Sequence, residues 1–192
     1  MSSETPPFRL VVGLGNPGKE YDGTRHNIGF AVLDSLTPGS GFVRDPKGPS
    51  EVAREGEVRY LKPRTYMNLS GQAVRAWLDW LKLTAADLLV VVDDFALPLG
   101  EVRLRERGSH GGHNGLRSIE ASLGTRDYAR VRCGIGPVPE RWAVEDFVLA
   151  RFLPEEREKA ATLRDRAADA IRYCQSRGIS LAMTSFNGKT DL

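Results

Sequence analysis

Five short runs rich in β-branched residues, Phe8–Leu14, Val58–Leu61, Leu88–Val92, Val102–Arg105 and Ala129–Ile135, alternate with segments whose apolar residues recur at helical spacing. No other feature restricts the chain so strongly. Strands separated by helix-length segments pair through crossovers that lay helices on a sheet, so the alternation predicts an α/β fold, a twisted sheet surrounded by helices. The helical candidates are Ile28–Leu36, Ser70–Leu81, Leu116–Leu123, Ala143–Phe152 and Pro154–Arg177. The last opens on proline, which suits a first turn, and stops at Gly178. Its buried stripe is expected to be Ala160, Leu163, Ala167, Ala170, Ile171 and Cys174. Leu97-Pro98-Leu99-Gly100 reads as a hairpin-like turn joining two strands, which makes the sheet mixed. Gly39–Ser50, rich in Gly, Pro and charge, reads as loop with room for one edge strand. Residues 1–7 and 187–192 read as flexible tails.

At 192 residues, 41% hydrophobic and 27% charged, the chain is long enough for one domain spanning 1–192 to bury most of its apolar surface. Lys plus Arg number 27 against 25 Asp plus Glu, so a surface for nucleic acid has to come from local clustering of charge. Cys133 and Cys174 are far apart and match no metal or redox spacing, which fits a reduced compartment. The sequence holds no apolar stretch of about 18 residues, and its first residues carry neither a basic nor an apolar signal region. A soluble cytoplasmic protein is the expectation.

The first strand-like run ends in Gly13, Gly15, Asn16 and Gly18, followed by Thr24-Arg25-His26-Asn27. Such a turn is shaped either for a ligand or for a close neighbouring side chain. Its glycines spell G-x-G-x-x-G, but Lys19-Glu20-Tyr21-Asp22-Gly23 lacks the helical period that a dinucleotide site needs after the third glycine. Gly13 to Lys19 also fits G-x-x-x-x-G-K, with Leu88 to Asp93 resembling a strand that ends in a metal-binding Asp. That reading fails at Glu20, where Mg²⁺ coordination requires a hydroxyl and a carboxylate would repel phosphate.

Polar residues with catalytic potential follow the strand-like runs, where open α/β sheets build their sites. Asn16 and His26 follow the first, Asn68 the second, Asp93 ends the third, and His113-Asn114 follow the fourth. Of these, His26, Asp93 and the three asparagines point to activation of water without a covalent nucleophile. An imidazole is the natural base near neutrality, a carboxylate fixes its tautomer, and amide donors stabilise an oxyanion by roughly 3 to 4 kcal/mol each in favourable cases. The bland alternatives are asparagines bonding loop backbone and an Asp93 that only caps a turn. His110, His113 and Cys133 make a weak zinc pattern, and no G-x-S-x-G elbow is present. Arg103, Arg105 and Arg107 lead into Gly108-Ser109-His110-Gly111-Gly112, a pairing of cations with exposed backbone N–H groups that suits phosphate. The same arginines could equally be the solvated charge of an edge strand.

Taken together, VVGLGNPGKEY and TRHNIGF between 11 and 30, KPRTYMNLSGQAV at 62–74, LLVVVDD with LPLG at 88–100, GSHGGHNGLRSI at 108–119 and RVRCGIGP at 130–137 resemble the bacterial-type peptidyl-tRNA hydrolase family. The resemblance implies a single-domain mixed sheet, monomeric and without metal or other cofactor, that cleaves the ester between a peptide and the 3′-adenosine of tRNA. It implies His26 as base, Asp93 as its partner, and Asn16, Asn68 and Asn114 as contacts to peptide and water. Tyr21 and Tyr66, in the same motifs, join the substrate contacts, and Arg103, Arg105 and Arg132 stand on the side of the tRNA acceptor stem. Ala96 departs from the family's usual Asp, Arg107 from a usually small residue, and Thr184 from a frequent Asn. Relatives of this fold also act in chloroplast RNA splicing, so a non-catalytic RNA-binding protein is the competing expectation.

Overall fold

The computed structural model describes residues 6–39, 41–45 and 48–188. Seven strands form one sheet: β1 Leu10–Gly13, β2 Val43–Arg44, β3 Ser50–Glu55, β4 Val58–Pro63, β5 Leu88–Pro98, β6 Val102–Arg105 and β7 Ala129–Gly136. Their order is β2-β3-β4-β1-β5-β7-β6. The four inner strands, β4, β1, β5 and β7, run parallel, while β2, β3 and β6 are antiparallel to their neighbours. The chain is thus the mixed α/β domain that the alternation predicts.

Strand periodicity sorts the apolar residues onto two faces. Val11, Leu89, Val91, Val131, Cys133 and Ile135 meet helices α1 Ile28–Leu36, α4 Val144–Leu149, α5 Arg157–Arg177 and α6 Ile179–Phe186 on one side. On the other, Leu10, Val12, Leu61, Leu88, Val90 and Val92 meet α2 Ser70–Leu81 and α3 Asn114–Leu123. All six residues of the expected α5 stripe are buried.

The glycine turn serves packing. A Cβ on Gly13 would lie 2.4 Å from the Gly29 carbonyl oxygen, and one on Gly29 would lie 2.5 Å from the Leu14 nitrogen. These two glycines let α1 cross β1 backbone to backbone, which places the start of α1 at the carboxyl end of the central strands. A Cβ on Gly15 would meet the Phe30 ring at 2.9 Å, and Gly18 has φ +117°.

Several elements differ from the sequence expectation, each for a physical reason. Strand β5 continues past Val92 to Pro98 because Gly134 and Gly136 of β7 admit its bulged end; a Cβ on Gly136 would lie 2.0 Å from the Phe95 oxygen. The Pro98–Glu101 turn is no hairpin, since β6 pairs with the far side of β7 instead of with β5. Strand β3 lacks apolar alternation, having only Ser50 and Ala53 buried at its outer position in the sheet. Helix α3 opens at Asn114, ahead of Leu116, because His113 caps it, and α4 is shorter than the expected 143–152. The first turn of 154–177 is a 3-10 turn, and beyond Gly178, at φ +83°, the chain re-enters a helix that proline and glycine punctuation gives no sign of. Asn187 is not frayed: its amide accepts from Leu104 N at 2.7 Å and donates to Leu104 O at 3.1 Å along the outer edge of β6. The remainder of the expected tails, residues 1–5 and 189–192, and residues 40, 46 and 47 of the expected loop lie outside the described residues.

Candidate active site

The 3-10 turn Arg25–Asn27 joins the glycine turn to α1, and its three consecutive polar side chains are all buried. Each has its own task. Asn27 donates to the Asn16 carbonyl and accepts from the Asn16 N–H, both at 2.9 Å, which locks the glycine turn against the helix start. Arg25 reaches the 150–156 segment, where Nη1 donates to Arg151 O at 2.7 Å and Nη2 to Glu156 Oε2 at 2.6 Å. His26 faces β5, and its Nδ1 lies 2.9 and 3.0 Å from the two carboxylate oxygens of Asp93.

Asp93 receives a second imidazole. His113 Nε2 lies 2.9 Å from Asp93 Oδ1, while His113 Nδ1 accepts the Gly115 and Leu116 N–H groups at 3.1 and 3.4 Å as the cap of α3. Because backbone donors occupy Nδ1, Nε2 carries the hydrogen and donates to Asp93. Asp93 also orients His26: it accepts from Nδ1–H, so in the neutral ring the lone pair sits on Nε2.

The electrostatics follow from burial and pairing. Desolvation would push the Asp93 carboxyl up, but the charges and hydrogen bonds of His26 and His113 win and hold it far below the usual carboxylate range. Burial disfavours the His26 imidazolium, yet the Asp93 charge and hydrogen bond outweigh it and raise the His26 pKa above 6.5. A raised imidazole beside an ionised buried carboxylate can accept a proton near neutrality and hold it.

Around this pair the asparagines occupy different settings. Asn16 is buried, and its Oδ1 accepts the Met67 N–H at 2.8 Å, which leaves Nδ2 without a protein partner among the described residues. Asn68 follows buried Met67 as an exposed residue of the 3-10 turn Met67–Leu69, and Asn114 is the exposed first residue of α3, its Oδ1 3.4 Å from Arg117 Nη1. A Cβ on Gly115 would meet the Met67 sulfur at 2.6 Å, so these two asparagine-bearing turns pack together. Neither amide bonds to His26 or Asp93. Tyr66 is exposed and Tyr21 half-buried; neither hydroxyl has a described hydrogen-bond partner.

Arg103 and Arg105 lie directly across from Arg132 and Arg130 in the β6–β7 ladder, so four guanidiniums share one face. Arg107 lies past the end of β6 but lines a hollow with Arg105, Arg130 and Arg132. That cavity, of about 350 Å³, is lined by Asp93, His113, Arg105, Arg107, Arg130 and Arg132 together with the glycine loop. Arg132 is held by Asp94 at 2.5 Å, and Arg103 sits 3.3 Å from Glu101. Arg130, which sequence reasoning passed over, is buried, and its Nη1 donates to Ser109 O at 3.1 Å, bracing the glycine loop. A second cavity, about 650 Å³, lies between α1, α5 and the end of β4 and reaches this region only through Asn16, Thr24 and Asn27.

The weak zinc pattern does not assemble. His110 Nδ1 accepts from Gly112 N at 3.0 Å, and Cys133 is fully buried, with its thiol pushed up by burial and by the Asp93 charge. The ligand-type atoms of His26, Asp93 and His113 do lie within 4.8 Å of one another. An ion there would have to displace both imidazole hydrogen bonds to Asp93. Sequence reasoning placed His113 at a strand end and in the weak zinc pattern but missed its role as the cap of α3 and second donor to Asp93, because histidine is outside the usual capping set of Ser, Thr, Asp and Asn. It also missed Arg25 and Asn27, whose only signal was their place beside His26.

Comparison with known proteins relates the whole chain to one family. The family model described as "Peptidyl-tRNA hydrolase" matches residues 10–192. A peptidyl-tRNA hydrolase of Chloroflexus aggregans is 47% identical over 184 residues, covering 93% of this chain and 98% of its own. One of Methylacidiphilum infernorum is 44% identical over 182 residues, covering 94% and 98%. The crystal structure of peptidyl-tRNA hydrolase from Acinetobacter baumannii superposes with a TM-score of 0.89 at 33% identity, over 98% of this chain and 99% of that one.

Proposed function

The chain belongs to the peptidyl-tRNA hydrolase family, and we propose that it hydrolyses the ester joining a peptide to the 3′ end of tRNA, with His26 as general base. The observation that carries this reading is the His26–Asp93 pair, which leaves Nε2 as the proton acceptor. Water attacks the ester carbonyl as Nε2 takes its proton, and Asp93 stabilises the imidazolium that forms. The Asn16 Nδ2 and the amides of Asn68 and Asn114 supply donors to the water, the peptide and the oxyanion. Collapse of the tetrahedral species breaks the bond to the ribose oxygen, which takes the proton back from His26 and leaves as the free 3′-hydroxyl. The products are a peptide carboxylate and tRNA.

Tyr21 and Tyr66 border the peptide side in this account. Arg103, Arg105 and Arg132 contact acceptor-stem phosphates from the β6–β7 face. The cavity joining Arg105 and Arg132 to Asp93 supports this placement, since it puts phosphate-binding chemistry beside the ester-cleaving pair. The protein acts as a monomer in the cytoplasm, on tRNAs released with their peptide still attached. No described helix is long and apolar enough to cross a membrane.

The reading is tested by incubating the protein with N-acetyl-aminoacyl-tRNA and with free aminoacyl-tRNA, each with and without a chelator. Rapid release of tRNA from the blocked substrate, slow release from the free one and indifference to the chelator are expected. Binding without turnover would leave an RNA-binding protein. Loss of activity in chelator, restored by zinc, would assign an ion to His26, Asp93 and His113.

A further inference from the structure

Arg25 stands beside the base in sequence but faces away from it. It is 2% exposed, and every hydrogen bond it donates goes to one stretch of chain, its buried Nε having no partner among the described residues. Its backbone N–H bonds Ala150 O at 3.0 Å, Nη1 bonds Arg151 O at 2.7 Å and Ala150 O at 3.3 Å, and Nη2 bonds Glu156 Oε2 at 2.6 Å. The guanidinium carbon lies 4.4 Å from the Phe147 ring centroid and 5.2 Å from that of Phe152. The carboxylate that receives it is itself placed, because Glu156 Oε2 also accepts the Leu153 N–H at 2.7 Å. Arg151 returns the contact through Nε to Asp22 O at 3.0 Å.

Burying a guanidinium costs several kcal/mol unless it is paired and hydrogen-bonded, and an apolar side chain would pack this space without that cost. What an arginine supplies here is directional: a planar fork whose bonds fix both the position and the tilt of the turn that carries it. That turn is a single 3-10 turn, Arg25–Asn27, so holding Arg25 from one side and Asn27 from the other fixes the direction in which the His26 side chain leaves the backbone toward Asp93.

We propose that Arg25, clasped by Glu156 and the 150–153 backbone, is a positioning residue for hydrolysis that aims the His26 ring at Asp93 and at the attacking water. The inference rests on His26 being the base. The groups facing His26 are Asp93 from β5 and His113 from the cap of α3, with the Arg25 charge beside it in the chain. If the clasp loosens, the His26 hydrogen bond to Asp93 lengthens, and burial then acts against the imidazolium with less opposition.

Two charge-conserving variants test it, Arg25→Lys and Glu156→Asp. The first keeps the cation but loses the fork, and the second draws the carboxylate back by one methylene. Each is followed by NMR titration of the His26 ring, by kcat and KM on N-acetyl-aminoacyl-tRNA, and by thermal melting. The expected result is a His26 pKa lower than in the parent and a kcat reduced between about 10- and 10²-fold with KM nearly unchanged, the scale of a misplaced catalytic group. If Arg25→Lys does not fold, Glu156→Asp, altered at a partly exposed position, decides the matter. An unmoved titration with parent-like kcat overturns the proposal, even if the melting temperature falls. If the parent itself fails to hydrolyse the ester, the assignment of function fails, while the titration still reports on the clasp.

Discussion

Asp93 carries two imidazoles on one buried carboxylate, and its partners' protons decide how the site responds to pH. Since the His26 pKa is raised, its base form is depleted on the acid side, so kcat/KM should rise with pH through a midpoint above 6.5. Asp93→Asn removes the charge that raises it, so the acid limb should move to lower pH while kcat falls by about 10² or more. A limb that stays in place would remove Asp93 from the mechanism. Stability follows the same groups with definite signs. The lowered Asp93 carboxyl contributes stability above its unfolded pKa of 3.8 that fades as pH falls, and the raised His26 contributes stability below 6.5 that fades as pH rises through its folded pKa. The melting-temperature gap between the parent and Asp93→Asn should therefore be widest between these two values. His26 and Asp93 were legible as candidates because chemistry-bearing residues at strand ends are few. His113 was legible as a strand-end residue, but its bond to Asp93 and the cap that fixes its tautomer were not, because capping statistics give histidine no weight.

Helix α1 owes its position to Gly13 and Gly29, and a glycine turn with the outline of a phosphate loop proves to be a packing device. Gly29→Ala would drive a methyl into backbone atoms of Leu14 and Val91 that cannot move aside, so a loss of about 1 to 3 kcal/mol is expected. Gly39→Ala, where a Cβ meets nothing within 4 Å, should stay within about 0.5 kcal/mol. Equal melting temperatures for the two variants would show that α1 can ride higher on the sheet. Elements with a strong period, such as α2 and α5, were readable from spacing alone. Strand β3 and the bulged end of β5 were not, because the reasons for them lie in partners: β3 is polar and paired, and β5 extends because glycines in β7, some forty residues on, admit it.

At the scale of the whole molecule, the alternation of strand and helix was sufficient for the fold class. It could not say that β6 crosses to the far side of β7, since strand order depends on contacts between distant segments. That placement is what gathers Arg103, Arg105, Arg130 and Arg132 into one face. If Arg105 contacts a phosphate, Arg105→Gln should weaken tRNA binding and flatten the log–log salt dependence by somewhat under ~1, while hydrolysis of a substrate carrying only the terminal adenosine is spared. Equal losses on both substrates with an unchanged slope would make the arginine structural. The central claim, that His26 draws the proton from water, is tested most directly by comparing single-turnover hydrolysis of N-acetyl-aminoacyl-tRNA by the parent and by His26→Ala. A rate lower by at least ~10² with tRNA affinity nearly unchanged is the predicted result, and turnover close to that of the parent would contradict it.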